Sequence, residues 1–191
     1  MIRLEEGNSN TREIYNKSLL DHFNESGLDY DDIWRINWLL KRFKKGKLLD
    51  MGCGVSPLAL IASEKPDTEV WAVDFADELI DTLKGKNKVN YIVGDMNNLP
   101  FKDKYFDYVV LGEILEHSES PEKLITEAKR VLKPNGIMAI SCPKDETLER
   151  HIYSQHLWSI SVEDIKNIVA RDKVIELEII SNNIMCYVKK S

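Results

Sequence analysis

Residues able to do chemistry fall into three short stretches of the chain. The first is Asp50-Met51-Gly52-Cys53-Gly54-Val55-Ser56-Pro57, a carboxylate followed by two glycines one residue apart. Glycines in a turn permit positive φ and let a ligand come close to the backbone. In the second stretch, Asp74 follows the turn by about 20 residues, where a carboxylate can accept the ribose hydroxyls of an adenosine. Asp95, within Val93-Gly94-Asp95-Met96, is a further acid at a strand end, and two such acids behind a glycine turn point to a nucleoside site. The third stretch is Glu113-Ile114-Leu115-Glu116-His117. Helical winding there would bring Glu113, Glu116 and His117 to one face. Two carboxylates and an imidazole can bind a divalent cation, which would lower the pKa of a coordinated hydroxyl.

Strand ends must position these residues, and the hydropathy pattern supplies them. Tyr15, Leu19 and Phe23 predict a helix stopped by Gly27; Ile33, Ile36, Leu40 and Phe43 predict a second, with Trp34 and Trp38 on an adjoining face. The basic run Lys41, Arg42, Lys44, Lys45 and Lys47 reads as cations complementing that helix's negative end, ahead of a phosphate-binding patch. Short apolar runs predict strands over 47–51, 69–73, 89–93, 106–111 and 137–141. Helices alternate with them, one capped by Ser56 with Pro57 as its first residue, one carrying Leu79, Ile80 and Leu83 inward, one opened by Pro121. Pro134-Asn135-Gly136 predicts a turn before the fifth strand, and Ser161 with Glu163 and Asp164 predicts a capped helix. Two last strands, 174–180 and 184–188, are close enough to pair as an antiparallel hairpin. The expected fold is α/β: a Rossmann-like, doubly wound, seven-stranded sheet, mostly parallel with a C-terminal antiparallel hairpin, preceded by two helices. Its 191 residues form a single domain, a helical cap over 1–45 and an α/β core over 46–191.

Composition narrows the classes. Hydrophobic residues at 43% and charged residues at 30% are globular values, and the net charge of -6 argues against a protein built only to coat nucleic acid. No apolar run is long enough to span a bilayer, residues 1–12 carry no apolar signal core, and three scattered cysteines fit a reducing, cytoplasmic setting. A dehydrogenase is disfavoured because the third glycine of the dinucleotide fingerprint is Pro57 here. No Gly-Lys-Ser or Gly-Lys-Thr is present to make a phosphate-cradling loop.

Taken together, Leu49-Asp50-Met51-Gly52-Cys53-Gly54, Val73-Asp74, Gly94-Asp95-Met96 through Leu99-Pro100-Phe101, Phe106-Asp107-Tyr108-Val109-Val110 and Val131-Leu132-Lys133-Pro134-Asn135-Gly136 resemble the class I S-adenosylmethionine-dependent methyltransferases, over about residues 30–191. The family's third loop glycine is Ser56 here. The resemblance implies that Asp50, Gly52, Cys53 and Gly54 surround the methionine part of S-adenosyl-L-methionine. It further implies that Asp74 holds the ribose, that Asp95 accepts from the adenine amino group, that Met96 packs on the ring, and that Phe75 is a further cofactor-binding residue. Glu113 then faces cofactor or acceptor, and Glu113 and His117 are the expected catalytic residues.

The segment Glu113-x-x-Glu116-His117, with a later histidine, also resembles two metal-using subgroups: ubiquinone-pathway O-methyltransferases and enzymes that methylate the 2′-hydroxyl at RNA 3′ ends. By that resemblance Glu113, Glu116, His117 and His156 would hold Mg, Mn or Zn. His156 fits the later histidine better than His151, because Trp158 and the Ser161 helix follow it. Metal-free members carry Leu-Glu-His at this place too, with the histidine touching the acceptor or acting as base, so both readings stand. Trp34, Trp38, Tyr153 and Trp158 either line an apolar acceptor pocket or pack in the core. The expected acceptor is a small hydroxylated metabolite, modified at oxygen or nitrogen, with no membrane partner. An RNA end, and a non-catalytic cofactor-binding protein, are the alternatives.

Overall fold

The computed structural model of the chain describes residues 1–3, 11–29, 33–144 and 156–191. His151, Tyr153 and the side chain of Tyr15, three of the residues singled out above, lie outside them. The elements run β1 (Ile2–Arg3), α1 (Thr11–Ser26), α2 (Ile33–Leu40), β2 (Gly46–Met51), α3 (Leu58–Ser63), β3 (Thr68–Asp74), α4 (Asp77–Leu83), β4 (Asn90–Val93) and β5 (Phe106–Gly112). A single 3-10 turn (Leu115–His117) follows, then α5 (Pro121–Val131), β6 (Leu132–Pro143), β7 (Trp158–Ser159), α6 (Val162–Ile168), β8 (Lys173–Ile180) and β9 (Asn183–Lys189).

The main sheet has seven strands in the order β4-β3-β2-β5-β6-β9-β8, and β1 pairs with β7 in a separate two-stranded ribbon. β4, β3, β2, β5 and β6 are parallel, while β9 runs antiparallel to both β6 and β8. Strands of such a sheet are covered on both faces and so are apolar on both. Leu48 joins Ile36, Leu39, Leu79 and Tyr108 in one core; Leu49 and Met51 join Leu124, Ala128, Val131 and Ile165 in the other. Alternation puts Asp50 on the Leu48 side. The parallel strands all end at one edge, which therefore gathers the glycine turn after β2, Asp74, Asp95 and Glu113.

Several local expectations change. α3 starts at Leu58 rather than Pro57, and the Ser56 hydroxyl accepts the Leu58 amide at 3.3 Å. Pro134-Asn135-Gly136 is a bulge within β6 rather than a turn ahead of it. Leu132 pairs with Phe106 and Ile137 with Tyr108, and the Lys190 backbone binds Asn135 and Gly136 across the excursion. The final hairpin turns on two residues, Ser181 and Asn182, both at positive φ as a twisted two-residue turn requires.

The basic run is a larger correction. α2 ends at Leu40, so its last turn holds no cation. Its terminal carbonyls are taken instead by the hydroxyls of Tyr108 (to Leu39, 2.6 Å) and Tyr187 (to Trp38) and by Lys65 Nζ (to Leu40, 3.1 Å). Lys41 and Arg42 pair with Glu176, and Lys47 pairs with Glu69. At the amino end of β2, opposite the glycine turn, Lys47 lines an open cleft of about 710 Å³ together with Lys65 and Asp107. Trp38 is core: it stacks on Tyr187 with centroids 4.1 Å apart and donates its indole N–H to Glu178.

Candidate active site

The glycine turn is fastened to β3 by its own backbone. The amides of Gly52 and Cys53 both donate to the Val73 carbonyl, at 2.8 and 3.2 Å. Asp74 is 3% exposed and accepts the Gly54 amide on Oδ2 at 2.9 Å and the Ala76 amide on Oδ1 at 3.0 Å. Burial raises its pKa, and those amides work against the rise. The Phe75 amide acts on it too, and a carboxylate with about four acceptor sites keeps capacity for one more donor such as a ribose hydroxyl. Gly52 sits at φ 75°, and a Cβ there would lie 2.6 Å from Ile114 Cδ1 and 3.1 Å from Met96 Sδ. Gly54 sits at φ 44° with only Leu19 of α1 near its Cβ position, at 3.8 Å, so its requirement is conformational.

The other cofactor-side residues take varied positions. Met96 lies against the turn rather than out in solvent, and Phe75 is half-buried beside Asp74. Asp95 is exposed, with Oδ1 accepting the Asn97 amide at 2.8 Å. The Cys53 thiol is buried and pushed well above its ordinary range by burial and by Asp74 and Asp50, so it is an inert neighbour. Asp50 is 3% exposed; burial and then the Asp74 charge push its pKa up to about 7. Its Oδ2 has no hydrogen-bond partner among the described residues. A buried, unpaired carboxylate oxygen is what a ligand's ammonium would satisfy, and a close-approach glycine stands beside it. These residues fit S-adenosyl-L-methionine.

The other half of the edge departs from the expected helical winding. Glu113 has φ 53°, which breaks the helix before it starts, and only Leu115–His117 winds, as a 3-10 turn. Glu113 is tied instead to other elements: its amide donates to Ser141 O at 3.0 Å, and its Oε2 lies 3.4 Å from Arg35 Nη1 on α2. Glu116 points inward, 1% exposed, and His117 is half-buried. The chain returning after β6 meets this turn directly. Leu157 donates its amide to Glu116 O at 2.7 Å, and Trp158 donates its indole N–H to Ser118 O at 2.7 Å. His156 is thereby set edge-on to His117, with centroids 4.6 Å apart and planes at 82°. One donor atom from each of Glu116, His117 and His156 lies within 4.8 Å of the other two. Of the four residues expected to meet, these three do, and Glu113 stands outside the group beside Arg35.

Two residues of this edge escape a reading of the sequence. Arg35 is the lone charge in the apolar helix Ile33–Leu40, and that oddity is its available signal. Ser141 is fully buried on β6, its Oγ without a hydrogen-bond partner among the described residues, and nothing in its sequence neighbourhood marks it.

Known proteins share this fold. A family model described as a methyltransferase domain matches residues 49–140. An uncharacterised protein of Methanocaldococcus jannaschii is 29% identical over 155 residues, which is 81% of this chain and 72% of that protein. A demethylmenaquinone methyltransferase of Staphylococcus haemolyticus is 32% identical over 114 residues, 56% of this chain; the chain spans about half of that relative, 48%. Among solved structures, the N-methyltransferase NodS of Bradyrhizobium japonicum, in complex with S-adenosyl-L-homocysteine, superposes with a TM-score of 0.72 at 15% identity, covering 95% of this chain and 99% of that one. No described helix is long and apolar enough to cross a membrane. With the glycine turn, the acids at successive strand ends and the reversed last strand all in place, residues 49–140 carry a methyltransferase domain in the class I, S-adenosylmethionine-dependent fold.

Proposed function

We propose that the protein transfers a methyl group from S-adenosyl-L-methionine to an oxygen or nitrogen of a small metabolite. The cofactor supplies an electrophilic methyl group on a sulfonium. The chain's task is then to align the acceptor's lone pair and to take its proton where it has one. Asp50, the Gly52–Gly54 turn, Asp74 and Asp95 would hold the cofactor, with Arg35 at hand for its carboxylate. His117 would accept the acceptor's proton, with His156 and the buried Glu116 fixing its ring. The observation that carries this reading is the meeting of Glu116, His117 and His156, drawn from two distant segments, at the edge that carries the glycine turn. A core with no task there would have no reason to place two imidazoles edge to face beside a buried carboxylate.

The same trio favours a second reading, in which Glu116, His117 and His156 hold a divalent cation that polarises the acceptor. Two imidazoles and a carboxylate suit Zn, Mn or Mg in that order of softness. An acceptor screen of small phenols, amines and carboxylates, run with and without chelator, tests both. Turnover that survives chelation supports the metal-free base. Turnover lost on chelation and restored by one added cation supports the second reading. No S-adenosyl-L-homocysteine binding at millimolar concentration would remove both.

A further inference from the structure

Asp50 poses a problem that its neighbours do not solve. It is buried, its Oδ2 has no hydrogen-bond partner among the described residues, and the residues beside it on β3 and β5, Ala72 and Val110, are apolar. Among the described residues, Asp74 at the end of β3 is the titratable group that acts on it, and Cys53 in the turn and Tyr91 on β4 are groups that it acts on in turn. Burial raises both the Cys53 thiol and the Tyr91 phenol, so both stay neutral near pH 7 and offer no cation. Asp74 is a like charge, and both its oxygens are engaged by amides. A carboxylate so placed is opposed by burial and by its neighbour at once.

We infer that Asp50 carries a proton in the ligand-free protein and releases it to solvent when the ammonium of the cofactor's aminoacyl arm arrives, so that cofactor capture is proton-coupled. The only covalent change is at the Asp50 O–H bond: a carboxylic acid and an ammonium become a carboxylate–ammonium pair plus one proton in solution. Burial that disfavours the lone charge strengthens the pair once it forms. The pKa of Asp50 near 7 places the proton where cellular pH can act on it. Affinity for any ligand bearing the aminoacyl arm then rises with pH up to about 7 and levels off above it. A ligand lacking the arm is indifferent. The identity of the ligand rests on the methyltransferase reading; the protonation of Asp50 rests on its surroundings alone.

Calorimetric titration with S-adenosyl-L-homocysteine, in buffers of different ionisation enthalpy, reads the proton directly. Close to one proton should leave per ligand at pH 6 and almost none at pH 8, with affinity falling about tenfold per pH unit below about 7. Asp50→Asn should bind more weakly, with no dependence on buffer or pH. 5′-Methylthioadenosine, which lacks the aminoacyl arm, should release no proton from the unaltered protein, a comparison that needs no variant to fold. S-adenosyl-L-homocysteine binding without proton release at pH 6 would overturn the coupling alone. Equal release by Asp50→Asn would also overturn it, assigning the proton elsewhere, the imidazoles of His117 and His156 included. Failure of S-adenosyl-L-homocysteine to bind in any buffer would overturn the methyltransferase reading instead.

Discussion

At the β2–β4 half of the edge, Asp74 binds amides two and twenty positions away, and the turn it holds follows directly from β2. At the β5–β6 half, the Trp158 indole reaches a carbonyl forty positions back, and Leu157 reaches Glu116. The first half is built from consecutive strand ends and needs only the sheet. The second is built by a returning segment and needs that segment docked. Cofactor binding and acceptor chemistry should therefore be separable by mutation, the former tied to the turn and the latter to the clasp.

The largest expected effect concerns Asp50 in the first half. A folded-state pKa of about 7 against an ordinary 3.8 means that the stability linked to its proton is fully present below about pH 4 and is lost as pH rises through 7. Asp50→Asn should thus raise the unfolding free energy of the ligand-free protein at pH 8 by up to about 4 kcal/mol and leave it little changed at pH 4. Denaturant titrations at the two pH values check this; equal gains at both would show that removing the charge is not the cause.

Next comes Gly52→Val, which sets a β-branched side chain at φ 75° against Ile114. A loss of about 3 kcal/mol is expected, from backbone strain and overpacking together. Adding Ile114→Ala should recover the packing share but not the strain. Full recovery would mean that the conformation of the turn is unimportant.

His117→Ala should lower turnover by about 10²-fold or more while leaving S-adenosyl-L-homocysteine affinity unchanged, the size expected for loss of a general base. Affinity lost in parallel would erase the division between the halves. The smallest effect is Trp158→Phe, which keeps an aromatic ring but removes the donor to Ser118. It should cost about 1 kcal/mol of stability and slow turnover without altering cofactor affinity. Unchanged turnover, measured beside a melting curve, would mean that the indole bond does not position His156.

The β2–β4 half is legible in the amino-acid sequence because its signals are short-range. A glycine pair marks a turn, an acid about 20 residues on marks the next strand end, and apolar runs mark strands covered on both faces. The parallel body and the reversed hairpin follow from the same rhythm. The basic run misleads because charge near a helix end has two outlets, its own helix's carbonyls or acids elsewhere. Glu176 and Glu69 take most of it, while Lys65 and two tyrosines cap the helix.

The sequence by itself determined the fold, the strand ends that share one edge and the return of a later histidine to His117, since these depend on local pattern and chain order. Only the tertiary structure decided which residues meet at the β5–β6 half of the edge. Glu113 left the group because its positive φ ended the expected helix, and that choice depends on Arg35 and Ser141, partners from other elements. Asp50 reads as one more acid in a motif until the sheet buries it beside Asp74. Burial and the company of a like charge are properties of packing, and no run of neighbouring residues records them.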